Sequence, residues 1–289
     1  MKKTTFLKIG GVPEHFNLPW LQAFQKQKMQ ALDIETNWVF FPGGTGAMTQ
    51  ALHSGDLDVA ILLTEGFLAA FQKGLKAKII QCYIETPLQW GIYSNKKNQL
   101  SFDTTTKVAV SRKGSGSHLM PLIHSEMMGK TLRDDQFKVI HHLEDGIAAL
   151  NEDCDYFYWE KWMTLPFVES GEAKKVGEFH APWSSFLIVA SDRCIETQAE
   201  QLKALLDIIE NQVTCFLADS ETPAEIHQQF KLSEQNAKIW LSEQQWHHHQ
   251  NTLSKSELEN AMQALNRVGI NMSKIHLKDL YAPWIHLTE

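Results

Sequence analysis

Three things are scarce in this sequence: positive charge, cysteine and long apolar runs. Lys and Arg number 27 against 34 Asp and Glu, which leaves a net charge of −7 and a pI near 6.0. Without a basic excess little can displace counterions from a nucleic-acid backbone, so that class of partner is excluded. No stretch reaches the roughly 18 consecutive apolar residues of a membrane helix. Met1-Lys2-Lys3 is not followed by the apolar run of roughly 7–15 residues that a secretion signal needs. Cytoplasmic residence is therefore the expectation. The four cysteines, Cys82, Cys154, Cys194 and Cys215, stand far apart in apolar surroundings. They form no CxxC or Cys/His metal spacing and read as buried free thiols, so neither a metal nor a cofactor is expected. No GxSxG, HExxH or phosphate-loop pattern is present. Gly and Pro, 16 and 9 residues, are too few for a collagen-like or disordered chain.

What is present is a repeated alternation of two periods. The 289 residues are 43% hydrophobic, long enough for two units of roughly 100–200 residues. Phe6–Ile9 is strand-like, and Asn17 with Pro19 opens a helix whose apolar face carries Leu18, Leu21, Phe24, Met29 and Leu32. Ile34–Phe41 returns to strand chemistry and breaks at Pro42-Gly43-Gly44-Thr45-Gly46. A short helix runs to Gly55, and Asp58–Leu63 is a near-continuous apolar run, as in a strand covered on both faces. A helix with Phe67, Leu68 and Phe71 follows, then a strand over Lys78–Ile84. The order predicts an α/β unit with a mostly parallel sheet.

The pattern restarts after Asn95-Lys96-Lys97-Asn98. Strands are expected over Lys107–Ser111, Phe137–His141, Asp155–Tyr158, Lys174–Phe179 and Phe186–Ala190. Helices fit between Ser117 and Gly129 and over Asp145–Leu150. From about residue 196 the chain reads as helical and strandless, with a capping box at Ser254-Lys255-Ser256-Glu257 and a stop at Gly269. The expected organisation is one lobe from 1–94 plus 190–289, with the helical tail packed on it, and a second lobe from 95–189. The crossings fall near Tyr93–Asn95 and Ile188–Ser191.

The run Pro42-Gly43-Gly44-Thr45-Gly46, then Leu52-His53-Ser54-Gly55-Asp56-Leu57-Asp58-Val59-Ala60, resembles a hallmark of type 2 periplasmic binding proteins. Asp145-Gly146-Ile147-Ala148-Ala149-Leu150 through Asp155-Tyr156, with Tyr158-Trp159-Glu160, is similar to a segment of the nitrate/sulfonate/taurine and thiamine-pyrimidine-precursor branch. Leu265–Ile270 and Leu277–Tyr281 resemble that branch's closing segment. The resemblance spans almost the whole chain. It implies a two-lobed clamshell that closes over a small polar ligand, anionic or heteroaromatic, without catalysis. The alternative it raises is an enzyme related to pyrimidine-precursor synthesis, whose members bind pyridoxal phosphate through a lysine and use clustered cysteines. A cytoplasmic member would have no transporter to serve from outside.

In such a fold the ligand sits outside the carboxyl ends of the strands, which selects the loops there. Glu14 and His15 follow the first strand. Gly44, Thr45 and Gly46, and likewise Ser115, Gly116, Ser117 and His118, open helices whose free amides attract polar or acidic groups. These two turns are expected at equivalent positions of the two lobes; the plainer reading is two tight strand-to-helix turns. Arg112 and Lys113 offer charge to an anion, or form a solvated pair. Thr64 and Glu65 leave the third strand, while Trp159, Glu160 and Trp183 offer an aromatic wall with a carboxylate. Nine tryptophans must nonetheless serve mostly as core. His247-His248-His249 on a helix, or His141-His142 on a strand, cannot converge on one ion and are expected to be solvated.

Overall fold

Val59-Ala60-Ile61-Leu62-Leu63 contains no polar residue, and all five side chains are buried. A computed structural model, describing residues 6–248 and 251–289, makes this run the centre of the first of two five-stranded sheets. In chain order the first half supplies β1 (Phe6–Gly11), α1 (Leu18–Gln25), β2 (Glu35–Phe40), α2 (Gly44–Ser54), β3 (Val59–Leu63), α3 (Thr64–Gln72) and β4 (Ala77–Ile84). The second supplies β5 (Gln89–Tyr93), β6 (Val108–Val110), α4 (Gly116–Met127), β7 (Phe137–Val139), α5 (Leu143–Asn151), β8 (Tyr156–Glu160), α6 (Lys161–Glu169) and β9 (Lys175–His180). Then come β10 (Phe186–Ser191), α7 (Asp192–Thr197), α8 (Ala199–Ala218), α9 (Thr222–Phe230), α10 (Glu234–Glu243), β11 (Thr252–Ser254), α11 (Lys255–Arg267) and β12 (His286–Thr288). No described helix is long and apolar enough to cross a membrane.

The strand orders are β2-β1-β3-β10-β4 and β7-β6-β8-β5-β9. They are the same pattern twice, each with one antiparallel strand inserted fourth. That strand is donated by the crossing chain: β10 lies antiparallel between β3 and β4, and β5 antiparallel between β8 and β9. Four of the five strands in each sheet therefore run the same way, as the alternation predicts, and the one exception comes from the crossing chain. The chain passes between them at 85–88 and 181–185, several residues before the positions expected from the sequence. β5 belongs to the second sheet and β10 wholly to the first.

Helix ends follow local chemistry. Gly55 takes φ 80° after α2, a left-handed conformation that costs glycine little. Asn17 does not cap α1; its amide instead donates to the Val12 carbonyl at 2.8 Å and closes the loop after β1. Ser254 caps α11 by accepting from the Glu257 amide. Glu257 does not complete the expected box, because its carboxylate accepts from the amide and hydroxyl of Ser184. The tail is not strandless, since β11 and β12 pair in parallel. It rests on the first lobe through α1 against α8 and β11 against β4. Asn236 and Arg267 also reach Glu169 and Glu126 of the second.

Two side-chain expectations change. Cys82, Cys154 and Cys194 are buried, but Cys215 is exposed. His141 and His142 are exposed, as solvated residues should be. His247 is buried, lies after the end of α10 and outside any helix, and places Nδ1 2.7 Å from Glu85 Oε1. His249 lies outside the described residues.

Candidate functional site

The carboxyl ends of β1, β3, β6 and β8 open on one cavity between the lobes. Its volume is about 60 Å³, room for a handful of water-sized groups at ~10–15 Å³ each. The first lobe contributes Val12, Glu14, Gly44, Thr45 and Leu63, with Leu88 and Phe186 where the chain crosses. The second contributes Trp90, Ser111, Ser115, Gly116, Ser117, Trp159 and Glu160. Of the residues expected from the sequence, Glu14, Gly44, Thr45, Ser115, Gly116, Ser117, Trp159 and Glu160 meet here.

The expected equivalence of the two turns fails. Ser115–Ser117 follows β6 and corresponds to the loop after β1, whereas Gly44–Thr45 follows β2 and corresponds to the loop before α5. They share a cavity without sharing a place in the repeat. Their hydroxyls are also engaged internally: Thr45 Oγ1 accepts from the Leu63 amide at 3.1 Å, and Ser117 Oγ accepts from the Ser111 amide at 2.9 Å. Ser115 donates to the Arg112 carbonyl at 2.8 Å. The Ser115 and Ser117 hydroxyls hold their own turn in shape, and the Thr45 hydroxyl ties the start of α2 to the end of β3.

The remaining expected residues point elsewhere. Gly46 faces an outer groove, where a Cβ would meet Arg112 Cδ at 2.8 Å. His118 turns back to its own turn, taking the Gly114 amide on Nδ1 at 3.1 Å and lying edge-on to Phe137. Trp183 is core; its Nε1 donates to Glu65 Oε2 at 3.0 Å. Burial pushes the Glu65 carboxyl up to about 7. Thr64 donates to the Ser184 carbonyl at 2.6 Å. Thr64 and Trp183 border a separate polar cavity of about 460 Å³ beside β4 and β11.

His15 is fully buried behind the cavity, its ring stacked on Trp240 at 4.2 Å and 12°. Its Nε2 lies 3.8 Å from Glu160 Oε2, too far for a hydrogen bond. Burial lowers its pKa to about 3, so the imidazole is neutral and no ion pair forms. Glu160 Oε2 accepts from the Met163 amide at 2.6 Å, capping α6, while Oε1 has no partner. Desolvation, augmented by the Glu14 charge, pushes Glu160 up to about 8. Desolvation alone brings Glu14 to about 7. Two carboxyls, one from each lobe, thus face one small cavity, and no Lys, Arg or His is among its lining residues.

Trp90 and Leu88 have no counterpart in the sequence reading. Trp90 Nε1 is buried without a partner. A Cβ on Gly116 would lie 2.6 Å from the Trp90 ring and 2.7 Å from Leu63 of the opposite lobe. That position needs glycine for the lobes to meet.

The two matching strand orders belong to a fold shared with solved structures. The Candida albicans CA3427 gene product, described as having the generic periplasmic binding protein fold, superposes with a TM-score of 0.89 at 24% identity, covering 99% of this chain and 98% of that one. The chain has the type 2 periplasmic-binding-protein fold. A family model described as Ca3427-like PBP matches residues 90–179, the part of this clamshell that forms the second sheet. The alkanesulfonate-binding protein SsuA of Xanthomonas axonopodis pv. citri, solved with MOPS, shares the fold at a TM-score of 0.77 and 16% identity, over 98% of both chains. Prochlorococcus marinus PhnD1, solved with methylphosphonate, does so at 0.63 and 12%, over 93% of this chain and 100% of that one. No curated protein sequence matches this clamshell.

Proposed function

We propose that the protein is a solute-binding protein that closes over a small planar ligand carrying N–H donors or a positive charge, held between Glu14 and Glu160. The observation that carries this reading is the opposed pair of carboxyls in a cavity lined by no basic group. An amidine-like or amino-heterocyclic edge would give Glu160 Oε1 the donor it lacks and would neutralise a pair that burial and mutual repulsion disfavour. Trp90 and Trp159 supply faces for such a plane. Of the two ligand chemistries expected from the sequence, these groups favour the heteroaromatic over the anionic. The enzymatic alternative, a pyridoxal phosphate lysine with clustered cysteines, finds neither residue type among the described residues lining the cavity.

Calorimetric titration with acetamidinium and 2-aminoimidazole, against methanesulfonate and nitrate as anions of similar size, tests the reading. The cations should bind and the anions should not. Glu14→Gln and Glu160→Gln should each weaken the cations about tenfold to a hundredfold, as loss of a hydrogen bond to a charged group does. Tight methanesulfonate binding that both variants preserve would refute it.

A further inference from the structure

Outside the inner cavity, the loop after β6 lies across the groove between α2 and α3, and this seam has a charge character of its own. The groove encloses about 500 Å³. Lys73 of the first lobe and Arg112 and Lys113 of the second line it, with Thr49, Gln50 and His53 along α2. No carboxylate is among the described residues lining it, in a protein whose net charge is −7. Lys113 pairs with Asp134 just beyond the rim. Burial lowers the His118 pKa, Lys73 and Lys113 both lower it further, and Asp134 opposes them.

Arg112 is the central residue. Its guanidinium rests on Gly43, and its Cδ approaches Gly46 closely enough that a Cβ there would sit 2.8 Å away. Among the described residues no acid pairs with it, and its Nη1 is buried without an acceptor. A half-buried guanidinium normally recovers its desolvation cost through a carboxylate or an oxyanion, and Arg is built for bidentate recognition of either. Here the protein supplies no carboxylate.

We infer that this outer groove is a second binding site, distinct from the inner cavity, that takes a multivalent oxyanion of the phosphate class between Arg112 and Lys113 of one lobe and Lys73 of the other. Lys73 and Arg112, which no carboxylate among the described residues pairs, together with Lys113, which shares its charge with Asp134, match a polyvalent anion better than a single carboxylate. An anion bridging them ties Lys73 of one lobe to Arg112 of the other and so favours this arrangement of the lobes. By linkage, such an anion raises affinity at the inner cavity, and an inner ligand raises affinity for the anion. The site itself does not depend on the inner ligand's chemistry.

The test is calorimetric titration of the full chain with pyrophosphate and with inorganic phosphate, at matched ionic strength, with no inner ligand present. The expected result is one saturable site that prefers pyrophosphate. Lys73→Gln, on the exposed end of α3, should weaken it about threefold to tenfold, and Arg112→Gln more than about tenfold. Because Arg112 also fills space at the seam, Lys73→Gln keeps the test open if Arg112→Gln folds poorly. The inference is overturned if neither anion binds saturably, or if Lys73→Gln leaves pyrophosphate affinity at the wild-type value. Binding abolished by Glu160→Gln yet unaffected by Lys73→Gln would put the anion in the inner cavity and overturn it equally. Failure here leaves the acetamidinium titration standing.

Discussion

The buried carboxyl of Glu160 should make the ligand-free protein less stable in alkali, and Glu160→Gln should remove that penalty. In the folded state its pKa is raised from 4.5 to about 8 by burial and by Glu14. Between those values the native protein holds a proton that the unfolded chain has released, so stability falls as pH rises through this window and then levels off. At about 1.4 kcal/mol per unit, the rise corresponds to roughly 3–5 kcal/mol. Glutamine keeps the shape, and its amide oxygen can still accept from the Met163 amide that Glu160 now caps. The variant should therefore match wild type within about 0.5 kcal/mol near pH 5 and exceed it by roughly 3–5 kcal/mol near pH 9. Urea unfolding followed by tryptophan fluorescence measures both. A stability difference that does not change with pH would mean that Glu160 ionises as an ordinary surface acid, and the reasoning from burial would fail.

Other perturbations have equally definite outcomes. His15, held neutral with its pKa lowered to about 3 from 6.5, costs stability as pH falls from 6.5, because only the unfolded chain takes the proton; His15→Phe should flatten that acid limb in the same urea assay. Gly116→Ala would put a Cβ 2.6 Å from Trp90 and 2.7 Å from Leu63, so small-angle scattering with saturating acetamidinium should show the variant remaining more extended than wild type. Thr45→Val removes the acceptor of the Leu63 amide and should cost about 1–3 kcal/mol of stability, read as a lowered urea midpoint without any ligand. Trp183→Phe strips Glu65 Oε2 of its donor and should destabilise by about 1–3 kcal/mol while leaving acetamidinium affinity unchanged, since Trp183 lies outside the inner cavity.

Most strands were legible because their burial is written locally: Val59–Leu63 and Phe186–Ser191 are wholly buried runs with no other use. β5 was not. Gln89-Trp90-Gly91-Ile92-Tyr93 follows Pro87 and carries a glycine, which weakens a strand signal, yet it pairs with two neighbours inside the second sheet. With β5 missed, Trp90 and Leu88 were lost from the site. The loop residues Glu14, Thr45, Ser117 and Glu160 could be named because strand ends in an α/β fold point at the cleft. Which of their neighbours turned inward could not. Glu65 was claimed by Trp183, and His15 by Trp240, more than two hundred residues along the chain. The inserted antiparallel strand was hidden for a related reason: the direction of β10 is a property of the return crossing, and no pattern within Phe186–Ser191 encodes it. The engagement of the turn hydroxyls was also not legible: Thr45 accepts from Leu63 at the end of β3, and Ser117 from Ser111 within its own turn.

The most direct test of a cation-accepting inner cavity is the pH dependence of acetamidinium affinity, because this probe stays cationic throughout the range. Glu14 and Glu160 are raised to about 7 and about 8, so the probe must compete with protons below those values. Calorimetry between about pH 6 and about pH 9 should find affinity rising through the window, with protons released to the buffer on binding. Affinity independent of pH, or methanesulfonate binding that strengthens as the pH falls, would contradict the account.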